Sequence, residues 1–135
     1  MQNTTATAST DPKTVRDSTS ASLIAADKVA GTSVYDTRGE KLGTVEAVML
    51  DKAKGQVVYA ILAFGGFLGF GGDYHPLPWS ALRYDRTAGG YVVNLDRAQL
   101  EGAPSYTRDQ TVSWEDPVWG KRIDDYYDAA MRRPM

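Results

Sequence analysis

The most apolar stretch of the chain, Val57-Val58-Tyr59-Ala60-Ile61-Leu62-Ala63-Phe64, has no polar residue on either parity. Successive side chains of a strand point to opposite faces, so a strand with one wet face alternates apolar and polar positions. Val57, Tyr59, Ile61 and Ala63 line one face here, and Val58, Ala60, Leu62 and Phe64 the other. The pattern predicts a strand over 56–64 that is covered on both sides. A barrel interior would cover one face, and the C-terminal segment or a second subunit the other.

The flanking segments predict how that strand is embedded. Thr32 to Tyr35 is β-prone and brief, and Asp36-Thr37-Arg38-Gly39 has the Asp and Gly that open and close a turn. Lys41 to Leu50 reads as a second strand, and Asp51 to Gly55 as a second turn, which together describe a β-meander. Tyr74 to Trp79 contains Pro76 and Pro78, so it must be an edge strand or bend sharply, because proline cannot donate to a sheet ladder. Ala81 to Tyr84 and Tyr91 to Leu95 read as a last hairpin. Asp96-Arg97-Ala98-Gln99 has the spacing of a capping box, opening a short helix that Gly102 and Pro104 end.

The periodicity changes towards the C-terminus. A linker over 105–116 ends at Asp116-Pro117, an N-cap followed by proline at the first helical position. Trp119, Ile123, Tyr126, Tyr127 and Ala130 then recur at i, i+4, i+7, i+8 and i+11, with Lys121, Asp124, Asp125 and Asp128 on the other side. This predicts an amphipathic helix over 117–131 whose apolar face lies on the barrel or on a partner subunit.

Composition narrows the picture. Residues 1–22 are mostly Thr, Ser and Ala and cannot bury enough apolar surface to offset the entropy of ordering, so they are expected to form a disordered arm. The rest suits one domain, with the barrel over 23–104. The chain has no cysteine, which excludes disulfides, thiolate nucleophiles and thiolate zinc sites. Residues 1–22 carry two basic and two acidic groups, 23–104 eight and nine, and 105–135 five and six. No segment has the basic excess that phosphate neutralisation demands, so nucleic acid is not an expected partner. No stretch reaches the ~20 apolar residues of a membrane helix, and no basic-then-apolar secretory pattern opens the chain. The expectation is a cytoplasmic protein without membrane insertion.

Candidate chemistry is sparse. His75 is the single histidine; without a Cys or His neighbour it reads as structural or as a surface residue, and a triad of Ser80, His75 and Asp73 lacks a nucleophile elbow. Glu115-Asp116 and Asp124-Asp125 are adjacent pairs whose members point in different directions on a helix, so neither forms a catalytic dyad. Gly65 to Gly72 interleaves five glycines with Phe67, Leu68 and Phe70 but lacks the Gly-Lys-Ser/Thr end of a phosphate loop. Large apolar side chains are costly to leave wet, at roughly 1.5–3 kcal/mol each, so these three fold back on the barrel or meet a partner. A symmetric homodimer would satisfy them.

The pattern Gly31-x-x-Val34-Tyr35-Asp36-x-x-Gly39-Glu40-x-Leu42-Gly43-x-Val45 resembles the PRC-barrel family. So do the long apolar strand after it, the Gly-rich stretch, Pro76-Leu77-Pro78-Trp79-x-x-Leu82 and Tyr91-Val92-Val93. The resemblance spans roughly residues 23–103. It implies a mainly β fold, a small barrel of five or six strands with a short helix, to which the C-terminal amphipathic helix is added. It also implies a non-enzymatic adaptor of the free-standing bacterial type, without cofactor or metal, that binds a protein partner or a second copy of itself. The candidate interaction residues are Phe67, Leu68, Phe70, Trp119, Ile123, Tyr126 and Tyr127. An RNA- or ribosome-associated factor and a small-ligand-binding barrel are the alternatives.

Overall fold

The computed structural model describes residues 23–64 and 73–132. A short helix, α1 (Ala26–Val29), precedes β1 (Ser33–Tyr35), β2 (Lys41–Leu50), β3 (Val57–Phe64) and β4 (Asp73–Pro78). A 3-10 turn (Trp79–Ala81) leads to β5 (Arg83–Asp85) and β6 (Gly90–Val92), followed by α2 (Arg97–Glu101) and α3 (Pro117–Arg132). The predicted arm over 1–22 and the segment 65–72, with Phe67, Leu68 and Phe70, lie outside the described residues.

The six strands form one sheet in the order β4-β3-β2-β1-β6-β5. Every neighbouring pair is antiparallel except β1 with β6. Sequence pattern anticipates the mainly β class, the strand count and the meander, but not this parallel closure. Val34 pairs with Tyr91 across more than fifty intervening residues, and no local signal encodes such a contact. The two outer strands are not paired with each other. The sheet instead curls through bulges, at Val34/Tyr35, Val45/Ala47 and Met49/Leu50, where an extra residue bends a strand and increases its twist.

Local chemistry fixes the corners. Asp36 is buried, and its Oδ1 accepts from the backbone N–H of Arg38 and of Glu40, each at 2.9 Å. Gly39 completes that turn at φ +86°, a conformation open to glycine and strained for other residues. Where β2 meets β3, a Cβ at Gly43 would run into the Ala63 carbonyl, so only glycine lets the strands approach this closely. Asp96 opens α2 as a full capping box, accepting from Gln99 N at 2.8 Å while Gln99 Oε1 accepts from Asp96 N at 2.9 Å. This is the arrangement that the sequence predicts.

The core lies on one face of the curled sheet. Val34, Leu42, Val45, Ala60, Leu62, Phe64, Leu77, Tyr91, Val93, Leu95 and Leu100 form a single buried cluster, which Ile123, Tyr127 and Ala130 of α3 join. The C-terminal helix therefore docks on its own barrel. Two hydrogen bonds to α2 set its position. Tyr126 Oη donates to the Gln99 carbonyl at 2.5 Å, and Gln99 Nε2 donates to the Ala130 carbonyl at 3.5 Å.

Boundaries differ from the sequence reading at the last hairpin. Residues 79–81 form a 3-10 turn after Pro78, so β5 starts at Arg83 and reaches Asp85. Beyond β6, Val93 leaves the ladder but still donates its N–H to the Tyr35 carbonyl at 2.9 Å. Full coverage of the central strand is also corrected at one residue. Val58 is 42% exposed, because a bulge sets it opposite no residue of β2 near the hairpin end.

The docking of α3 separates two neighbouring tyrosines. Tyr126 spends its hydroxyl on the Gln99 carbonyl, whereas Tyr127 is 2% exposed and its Oη has no partner among the described residues. Tyr126→Phe is expected to lower the unfolding free energy by about 1 kcal/mol, the usual net worth of such a bond. Tyr127→Phe should leave it unchanged or raise it. Urea denaturation of both variants checks this; equal losses would contradict the docking described.

Candidate protein-interaction surfaces

The outer face of the sheet is set by the register of β3. Tyr59, Ile61 and Ala63 stand opposite Pro78, Pro76 and Tyr74 of β4 and opposite Met49, Ala47 and Thr44 of β2. Ile61 on this face is 2% exposed, so something must lie over it. The segment that sequence pattern assigns to a linker covers this side of the sheet. Tyr106 exchanges backbone hydrogen bonds with Tyr74, at 2.8 and 3.0 Å, which adds a one-residue rung to the open side of β4.

Aromatic rings then run across the face. Tyr74 and Tyr106 lie 5.5 Å apart between centroids, Tyr106 and Trp114 6.0 Å, Tyr59 and Trp114 5.9 Å, and Trp114 and Trp119 6.5 Å. These separations are those of tilted and edge-on ring pairs. Arg108 Nε donates to Tyr74 Oη at 3.1 Å, and the Arg122 guanidinium sits 5.3 Å from the Trp119 ring. Burial raises the pKa of Tyr59, with Asp124 adding to it, and raises that of Tyr106, with Tyr74 and Glu46 adding. Both phenols stay protonated and act as packing groups. Sequence reasoning passed over Tyr106 and Trp114; the available signal was two large aromatics within an otherwise polar stretch.

Two clefts open beside this roof. One, of about 230 Å³, lies between Tyr106, residues 110–113 and Trp119. The other, of about 460 Å³, lies between α3 and the end of β4, lined by Pro78, Ser80, Asp124, Tyr127 and Asp128 among others. Asp124 there has its pKa raised by partial burial and by the neighbouring Asp128 and Asp125. No group of three or more His, Asp or Glu that could hold a metal ion occurs among the described residues.

The candidate contact residues of the helix divide into two pairs. Ile123 and Tyr127 are 0% and 2% exposed against the chain's own core, so they are spent within the fold and present nothing to a partner. Trp119 and Tyr126 are half-buried, packed against the same core. Of the two surfaces that the sequence pattern allows this helix, barrel or partner, its apolar face packs on the chain's own core. Phe67, Leu68 and Phe70 lie in the segment outside the described residues, which joins the paired ends Phe64 and Asp73.

Large apolar side chains do remain on the surface. Leu50 is 50% exposed beside Val58 at the β2–β3 hairpin end, Val118 is 66% exposed at the start of α3, and Tyr84 of β5 is 44% exposed.

His75 is buried rather than superficial. Its ring packs edge-on against Phe64 at 5.4 Å, Nδ1 has no partner among the described residues, and the Pro104 backbone is its hydrogen-bonding neighbour. Ser80 is exposed, so the residues of a paper triad are not brought into one solvent-reached site. Burial lowers the His75 pKa below 6.5, against opposing contributions from Asp73 and Pro104.

A family model, described as the PRC-barrel domain, matches residues 22–100. The match takes in all six strands and ends before the aromatic roof and α3. No curated protein gives a significant match. No helix among the described residues is long and apolar enough to cross a membrane.

The depressed pKa of His75 gives a pH dependence of defined sign. Well above pH 6.5 the ring is neutral folded and unfolded, and its contribution is flat. As pH falls through 6.5, the unfolded chain takes up the proton first, so stability is lost until the lower folded pKa is passed. Wild type and His75→Gln are compared by urea denaturation at pH 8, 6.5 and 5.5. The wild type should lose stability faster than the variant over the acid step, and parallel curves would refute the assignment.

Proposed function

The chain belongs to the PRC-barrel domain family, and from that premise we propose that it is a non-catalytic cytoplasmic adaptor that works through protein–protein contact and self-associates. One observation carries the reading. The fold has an amphipathic helix and an aromatic roof with which to cover apolar surface, yet it leaves Leu50, Val58, Val118 and Tyr84 wet. Each such side chain forgoes part of the roughly 1.5–3 kcal/mol that burial yields, so a second surface that covers them has a driving force.

The polar groups support the same reading. Of the buried ones, Asp36 is committed to the N–H groups of its own turn and His75 is packed into the core. Acids and bases are interspersed along the chain without the basic excess that an RNA ligand favours. Phe67, Leu68 and Phe70 add three more large apolar side chains between β3 and β4.

The test is the mass in solution. Multi-angle light scattering of the full chain should give more than the 14.7 kDa of one copy. A Phe67→Ser/Phe70→Ser double variant tests whether residues 67–70 join the contact, and a shift towards the monomer at an unchanged far-UV spectrum places them in it. A wild type that stays monomeric at every concentration would overturn self-association, and an unchanged mass in the variant would remove residues 67–70 from the contact.

A further inference from the structure

The two edges of the sheet are treated unequally. At β4, Pro76 and Pro78 remove N–H donors, Tyr106 occupies the groups of Tyr74, and α3 packs alongside. These are ordinary devices for keeping an edge from pairing with another chain. At the opposite edge, β5 is Arg83-Tyr84-Asp85, without a proline, and no strand among the described residues pairs with its outer side.

The sequence of β5 is self-complementary. If two copies of the strand run antiparallel about a two-fold axis at Tyr84, Arg83 of each copy stands opposite Asp85 of the other. Two cross-strand ion pairs then form by symmetry, on one face of the extended sheet. On the other face, Tyr84 stands opposite Tyr91 within the chain, ring centroids 5.3 Å apart, and Tyr91 in turn meets Trp79 at 5.4 Å. Tyr91 is 5% exposed and Tyr84 44%, so this row of rings begins in the core and stops half-wet at the edge. The same axis would set the two Tyr84 rings side by side and continue the row into the second copy.

We infer that β5 is the self-association edge, where a second copy of this chain pairs antiparallel about Tyr84 and joins the two sheets into one. The inference rests on the proposed self-association and assigns its place and symmetry. Asp85 keeps its turn role in the dimer. Its Oδ1 accepts from Thr87 N and Ala88 N at 2.9 and 3.1 Å, which leaves the second carboxylate oxygen for Arg83 of the partner copy. A three-residue rung buries little area, so the dimer is a weak one that tracks concentration.

Sedimentation equilibrium over a concentration series tests this on the full chain. Arg83 is exposed, so Arg83→Asp should fold as the wild type does while replacing both ion pairs by like-charge pairs. Its dimer dissociation constant should rise at least about tenfold, equivalent to about 1.4 kcal/mol. The charge swap Arg83→Asp/Asp85→Arg should return it towards the wild type. Because Asp85 also holds its turn, the swap can fail to fold, and Tyr84→Cys supplies an independent readout. It introduces the only thiol of the chain, at the axis, so mild oxidation should give a covalent dimer faster than a Thr87→Cys control at the turn. A wild-type dimer that Arg83→Asp leaves intact, or that Tyr84→Cys cross-links no faster than the control, overturns the β5 edge and leaves self-association standing. A wild type that is monomeric throughout overturns both.

Discussion

The structure depends on covering a strand that has no wet side. β3 carries Ala60, Leu62 and Phe64 into the core and Tyr59, Ile61 and Ala63 to the other face, and neither set tolerates water cheaply. A single curled sheet can cover only one of them by folding on itself. The inner face is closed by the opposing strands into the core cluster, which Ile123, Tyr127 and Ala130 of α3 also join. The outer face is closed by a strap with almost no regular structure, Tyr106 to Trp114, and by Trp119 at the start of α3, whose rings do what a second sheet would do elsewhere. Ring pairs of this kind add about 0.5–1.5 kcal/mol each beyond the area they bury, so a few aromatics suffice where a longer segment of small residues would not.

Covering the outer face has a consequence for the edge. To lie over β3 the strap must first pass the neighbouring strand, and it does so by exchanging backbone bonds between Tyr106 and Tyr74. That crossing closes β4, which its prolines had already weakened as a pairing partner. Among the described residues nothing of the kind acts on β5, which sits at the far end of the sheet, beyond the parallel β1–β6 pairing. The asymmetry of the edges thus follows from the two-faced strand, not from a separate requirement for assembly.

What could be read from sequence was whatever a short window encodes. The capping box of Asp96 and Gln99, the turn held by Asp36 and Gly39, the edge position of Pro76 and Pro78, and the period of Ile123 and Tyr127 each rest on residues a few positions apart. The parallel pairing of Val34 with Tyr91 does not, and neither does the meeting of Tyr59 with Trp114. Trp114 and Tyr106 obey no helical or strand period because the strap is neither, and a polar stretch with two isolated aromatics looks like a linker. The demand for a roof was legible in β3; the identity of the roof was not. Of the candidate contact residues, Ile123 and Tyr127 were legible as buried but not as to what buries them. The charges of Arg83 and Asp85 carried no signal until the sheet order placed them on an edge.

The same division bears on where recognition can reside. A buried polar network is the usual source of chemical specificity, whereas here Asp36 holds its own turn and His75 packs against Phe64. His75 is the informative case. A histidine free to bind or shuttle protons needs solvent or a partner at both nitrogens, yet this one lies against Phe64 with its pKa lowered by burial. It therefore contributes a cost to stability in acid. In the self-association proposed above, discrimination falls to shape, to apolar area and to the order of charges along an edge. Alternating charges on a short strand are well suited to that task. They add little affinity, but they penalise a shifted register, because displacing the pairing by one or two residues sets like charges opposite or leaves them unpaired.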